Sequence, residues 1–136
     1  MHPNATNKNK SKVICPELSY KITGLLFKVH NELGRYRNEK QYTDRLEQLL
    51  KDDKIIYKRE GTLPRSFKGE KINRNISDFI IDNKIIVDIK AKRWITKDDY
   101  FQMKRYLASS KKELGIIVNF RSKYINPKRI LNSEIQ

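Results

Sequence analysis

KIIVDIKAKRW, residues 84–94, reads as a buried β-strand interrupted by two charges, Asp88 and Lys90. Side chains alternate across a strand, so Ile86, Asp88 and Lys90 project to one face while Ile85, Val87 and Ile89 fill the other. One face is apolar and the other carries opposite charges. Burying either charge without a partner costs several kcal/mol, relieved in practice by a pKa shift or by water, so the polar face is either exposed or used.

The preceding segment, NISDFII (75–81), holds Asp78 among apolar neighbours, and the parity of the loop decides whether Asp78 meets Asp88. A three-residue loop, Asp82-Asn83-Lys84, sets Ile81 opposite Ile85 and puts the two carboxylates on one face. A two-residue loop puts them on opposite faces unless a bulge restores the register. Asn83 tolerates the left-handed conformation that a three-residue hairpin needs, which favours the odd count.

If the carboxylates meet, they lie about 5 Å apart at the backbone, and like charges that close raise one pKa unless a cation sits between them. Ligation by oxygen alone favours Mg2+ or Mn2+ over zinc. Lys90, one strand step beyond Asp88, then stands where an ammonium could orient water and stabilise charge on a phosphate under attack. The plainer alternative stays open: both aspartates face water, with Lys90 in a cross-strand ion pair that contributes little.

Outward from this hairpin the periodicity changes. Leu18, Ile22, Leu25, Val29 and Leu33 step by four, three, four and four, predicting a helix from Glu17 that stops at Gly34. After the basic connector RYR, Asn38 with Gln41 forms a capping signal for a second helix that runs to about Lys51, with Tyr42, Leu46, Leu49 and Leu50 inward and Glu39 on the same stripe. KIIYKRE (54–60) predicts a strand, and LPRSFKG an extended segment turning at Lys68-Gly69. Thr96 and Asp99 make a capping box for a helix over about 97–110, and GIIVNF (115–120) is an interior strand. The order predicts an α/β layer with helices against a mixed sheet, spanning 15–122 between a flexible basic leader (1–14) and a polar basic tail (123–136).

Thirty Lys and Arg against sixteen Asp and Glu give a net charge of +14, which favours phosphate polymers or anionic surfaces as partners. The single Cys15 excludes an internal disulfide and a cysteine-based metal site, and His2 and His30 are too few for zinc. The leader lacks the apolar stretch of a signal peptide and no segment is apolar enough to span a membrane, so a cytoplasmic protein is expected. His30, ending an apolar helix, is expected to be a hydrogen-bonded packing residue, and core packing is the expected use of Trp94 and Tyr100, with base stacking as the alternative.

An acidic residue on an early helix, an aspartate on one strand and D-x-K on the next, then a helix and an apolar strand, form an order that resembles the PD-(D/E)-x-K nuclease superfamily. More narrowly the chain resembles the GxxExxY family within it, through Val29-His30-Asn31-Glu32-Leu33-Gly34, Glu39-Lys40-Gln41-Tyr42, Asp78, Asp88-Ile89-Lys90-Ala91, Gln102 and Tyr106-Leu107. The leading glycine of that family's name falls at Tyr36, and Arg35-Tyr36 replaces the usual Pro-Gly turn.

The resemblance implies a restriction-endonuclease-like core and metal-dependent phosphodiester cleavage, with Glu39, Asp78 and Asp88 as metal-site acids, Lys90 as the catalytic lysine and Gln102 as an auxiliary polar residue. Mg2+ or Mn2+ is the expected cofactor and nucleic acid, DNA favoured, the expected partner, with Lys92, Arg93, Lys97, Lys104 and Arg105 neutralising its phosphates. A homodimer would suit the cutting of two strands. Two other classes compete: a catalytically silent nucleic-acid-binding or protein-interaction module on a nuclease-like fold, and a basic interaction domain that never meets nucleic acid.

Overall fold

The computed structural model describes residues 15–132. The expected leader therefore lies outside the described residues. Helix α1 (Pro16–Leu33) starts with proline in its first turn and stops where Gly34 turns to φ 77°, its N–H donating to the His30 carbonyl. Helix α2 (Glu39–Asp52) opens with reciprocal bonds, Gln41 N–H to Asn38 Oδ1 at 2.9 Å and Asn38 N–H to Gln41 Oε1 at 3.0 Å. Tyr42 ties the connector between them, since its hydroxyl donates to the Gly34 carbonyl at 2.6 Å and accepts from Arg37 N–H at 3.1 Å.

Among the described residues five strands follow in sheet order β1 (Tyr57–Thr62), β2 (Ile76–Ile81), β3 (Ile85–Lys90), β4 (Leu114–Asn119) and β5 (Lys128–Leu131). Helix α3 (Lys97–Ser110) carries the chain across the sheet from β3 to β4, and these two strands are parallel while all other neighbours are antiparallel. Helices α1 and α2 bury Ile22, Leu26, Val29, Leu46 and Leu50 against Phe79, Ile81, Ile85, Val87 and Ile89. On the opposite face α3 sets Met103, Tyr106 and Leu107 against Ile80, Ile86, Ile117 and Ile130. Gly115 permits that packing, because a Cβ there would collide with the Met103 side chain.

The expected α/β architecture of a mixed sheet between helices is therefore the observed one. His30 packs as expected, its Nε2 2.9 Å from the Ser122 carbonyl and its ring stacked on Phe120. Two expectations need correction. LPRSFKG turns at Lys68-Gly69 as expected, but Ser66 and Phe67 bend instead of extending, held where Glu70 accepts from the backbone and hydroxyl of Ser66. The region expected to be a tail from residue 123 supplies β5, antiparallel to β4, so the sheet extends past the boundary placed at 122. An edge strand needs few apolar side chains, and in KRIL the buried one is Ile130.

Candidate active site

The β2–β3 loop has the odd count. Asp82 and Asn83 take φ of 51° and 54°, Lys84 N–H donates to the Ile81 carbonyl at 3.0 Å, and the ladder runs Ile81–Ile85, Ile80–Ile86, Phe79–Val87. Asp78 and Asp88 thus fall on one side of the sheet, and each reaches the other's strand. Ile89 N–H donates to Asp78 Oδ2 at 2.6 Å, and Asp78 N–H donates to Asp88 Oδ1 at 3.3 Å.

This exchange places both carboxylates where water is scarce. Asp88 is only 4% exposed, and burial first, then the charge of Asp78, pushes its carboxyl up to about 6 against the opposing pull of Lys90. Burial also raises Asp78, opposed by the Ile89 N–H and reinforced by the charge of Glu39. Two crowded carboxylates form a hard, oxygen-only donor pair, and that chemistry fits a divalent cation.

Glu39 stands differently from the inward position its helical stripe predicted. It is exposed at the first residue of α2, and it lines a cavity of about 360 Å³ with Thr43, Arg59, Glu60 and Asp78. Among the described residues no three acidic, His or Cys side chains are drawn into a ready metal cluster. The third carboxylate therefore shares the cavity of Asp78 without closing on the pair. Glu60, which the sequence did not single out, enters the same cavity from β1 with a left-handed φ of 53°, opposite the stretch that holds Asp78.

Lys90 is steered from α3. Its Nζ lies 3.4 Å from Gln102 Oε1 and 3.8 Å from Asp99 Oδ1, and Lys92 Nζ holds the other Asp99 oxygen at 2.5 Å. Burial pushes Asp99 up, but bonds from Lys92 and the Thr96 N–H, with the charges of Lys92 and Lys90, outweigh it and hold the carboxyl below its usual range. The sequence marked Asp99 only as a helix cap. Its second use depends on two lysines from a neighbouring strand end, which local spacing does not reveal.

The expected phosphate contacts divide. Lys92 is engaged with Asp99, and Lys104 donates to the Leu131 carbonyl at 2.9 Å, whereas Arg93, Lys97 and Arg105 are exposed. Trp94 corrects the core expectation, being 63% exposed with the Arg93 guanidinium 4.8 Å from its ring centre, while Tyr100 packs partly buried against the α3 core. Asn119 fixes the connector that presents them, accepting from Lys92 N–H at 3.1 Å and donating to the Lys92 carbonyl at 2.7 Å.

Compared with known proteins, the chain matches the family model described as the PD-(D/E)XK nuclease superfamily over residues 16–130. No curated protein and no solved structure matches the chain.

Proposed function

The chain belongs to the PD-(D/E)XK nuclease superfamily, with its restriction-endonuclease-like fold, and from that premise we propose that it hydrolyses phosphodiester bonds of nucleic acid, DNA favoured. The observation that carries the reading is the Asp78–Asp88 pair, half-buried and buried, on one side of the β2–β3 hairpin with Lys90 one strand step away. Asp78 and Asp88 would hold the divalent cation, Mg2+ or Mn2+, with Glu39 completing the site from across the shared cavity. When bound, such an ion supplies charge neutralisation at the phosphate and acidifies water.

The chain's own groups do the rest. Lys90, aimed by Gln102 and restrained by Asp99, carries its ammonium toward the negative charge that develops as the phosphate is attacked. Arg93, Lys97 and Arg105, exposed beside the site and along α3, neutralise backbone phosphates and bring the polymer in. The bonds of Tyr42 to the connector before Glu39 support the narrower GxxExxY assignment, since they fix where that glutamate starts its helix.

Labelled linear, single-stranded and branched DNA, incubated with and without magnesium beside Asp88→Ala, tests the reading. Metal-dependent cutting that the variant loses is the expected result. Salt-sensitive binding with no cutting under any metal would leave instead a silent binding module on the same fold.

A further inference from the structure

The exposure of Trp94 asks for an occupant. The chain has one tryptophan, and it stands on the connector after β3 rather than in either core layer. It lines a groove of about 210 Å³ with Arg93, Asn119, Ser122, Asn126 and Lys128. The register relates this groove to the carboxylates. Asp88 pairs with Ile117 and Ile117 with Lys128, while Lys90 pairs with Asn119, so all five project from the same side of the sheet. Adjacent strands are about 4.8 Å apart, which sets the groove one strand beyond Lys90 and the Lys128 amine two strands beyond Asp88.

A second regularity points to the chemistry of the occupant. Three connectors each carry a cation over an exposed aromatic ring: Arg35 on Tyr36 at 5.2 Å, Arg93 on Trp94 at 4.8 Å and Lys123 on Tyr124 at 5.5 Å. These connectors gather at one end of the sheet, tied by Arg35 Nε to the Arg121 carbonyl at 2.8 Å and by the Asn119 clamp on Lys92. Aromatic faces interleaved with cations suit a polyanion whose repeating unit has a flat ring, because the ring stacks while the phosphate is neutralised. In a duplex those base faces are covered by their neighbours.

We infer that the Trp94 groove receives an unpaired nucleobase of the strand being cut, next to the phosphate that Lys90 faces, and that this makes single-stranded or flapped nucleic acid the preferred substrate class. The inference rests on the nuclease reading for the role of Lys90, and on the groove itself for the base. Trp94 supplies the stacking face, and Lys128 neutralises a phosphate on the far side of the ring. A protein partner would need a broad apolar contact, whereas this groove holds only about 210 Å³, its apolar side chains Trp94, Ile95 and Ile117 bordered by Asn119, Ser122, Asn126 and Lys128.

The sole tryptophan reports its own occupancy. With EDTA present to prevent cutting, the full chain is titrated with oligothymidylate, with a blunt duplex of equal length and with inorganic polyphosphate, and tryptophan emission and acrylamide access are followed. Oligothymidylate is expected to quench and shield Trp94 where the other two do neither. Read by the anisotropy of end-labelled oligothymidylate, which needs no tryptophan, Trp94→Ala should weaken binding about tenfold, with Trp94→Phe restoring most of it, and Lys128→Ala should reduce the salt dependence by about one phosphate contact. Equal quenching by duplex or by polyphosphate, or unchanged binding in Trp94→Ala, overturns the inference. Cutting with no quenching removes the groove alone, and quenching with no cutting under any metal removes the nuclease reading while the base site stands.

Discussion

Replacing Asp88 by asparagine should make the protein more stable at neutral pH and inactive at once. In the folded chain burial and the charge of Asp78 lift the Asp88 carboxyl from 3.8 to about 6, so the native state binds this proton more tightly than the unfolded chain does. The sign follows: the contribution of Asp88 is most favourable below the ordinary value, and it is lost as pH rises through about 6. A gap of roughly two pH units at about 1.4 kcal/mol each makes the ionised carboxylate a cost of about 3 kcal/mol. Asparagine keeps an acceptor for Asp78 N–H, brings an amide donor that can face the Asp78 carboxylate, and carries no charge. Urea unfolding in EDTA across pH 4–8 reads the outcome. Asp88→Asn should exceed the wild type by about 2–3 kcal/mol at pH 8, and the two should converge toward pH 4. A variant that is less stable at pH 8, or a difference that does not close on acidification, would refute the electrostatic account of the pair.

The other expectations follow from the same geometry. Magnesium at ten times its dissociation constant should stabilise the wild type by about 1.4 kcal/mol and leave Asp88→Asn unchanged, as thermal melting with and without EDTA will show. Lys90→Ala should abolish turnover while DNA binding persists, and a variant cutting at the wild-type rate would remove Lys90 from the mechanism. Asp99→Asn should lower kcat more than it raises KM, because Lys90 and Lys92 lose their shared counter-charge, and steady-state kinetics separates the two effects. Gly115→Ala should cost about 1–3 kcal/mol in urea unfolding, since Met103 must move to admit a methyl group.

How much of this was legible in the sequence depends on the range over which each feature is encoded. Local signals served well: Asn38 with Gln41 and Thr96 with Asp99 marked two helix starts, and Asn83 marked the odd loop that puts Asp78 beside Asp88. Features set by distant partners were hidden. Strand β5 carries little apolar signal because its pairing with β4 supplies the rest, and Trp94 lies on a connector whose direction is fixed by Asn119 across the sheet. Glu39 shares a helical stripe with Tyr42 and Leu46, but a stripe does not say where the core ends, and the first turn of α2 overhangs it. The union of Asp99 with both lysines depends on where the α3 crossover begins.

The two outer strands also govern how this molecule behaves in a crowded solution. An open sheet has rims that invite a stranger's backbone, and both rims here discourage it. β5 is four residues long and begins with Lys128 and Arg129, while β1 alternates Lys58 and Glu60 along its border and breaks its extended course at Glu60. Pairing of copies rim to rim is thereby disfavoured.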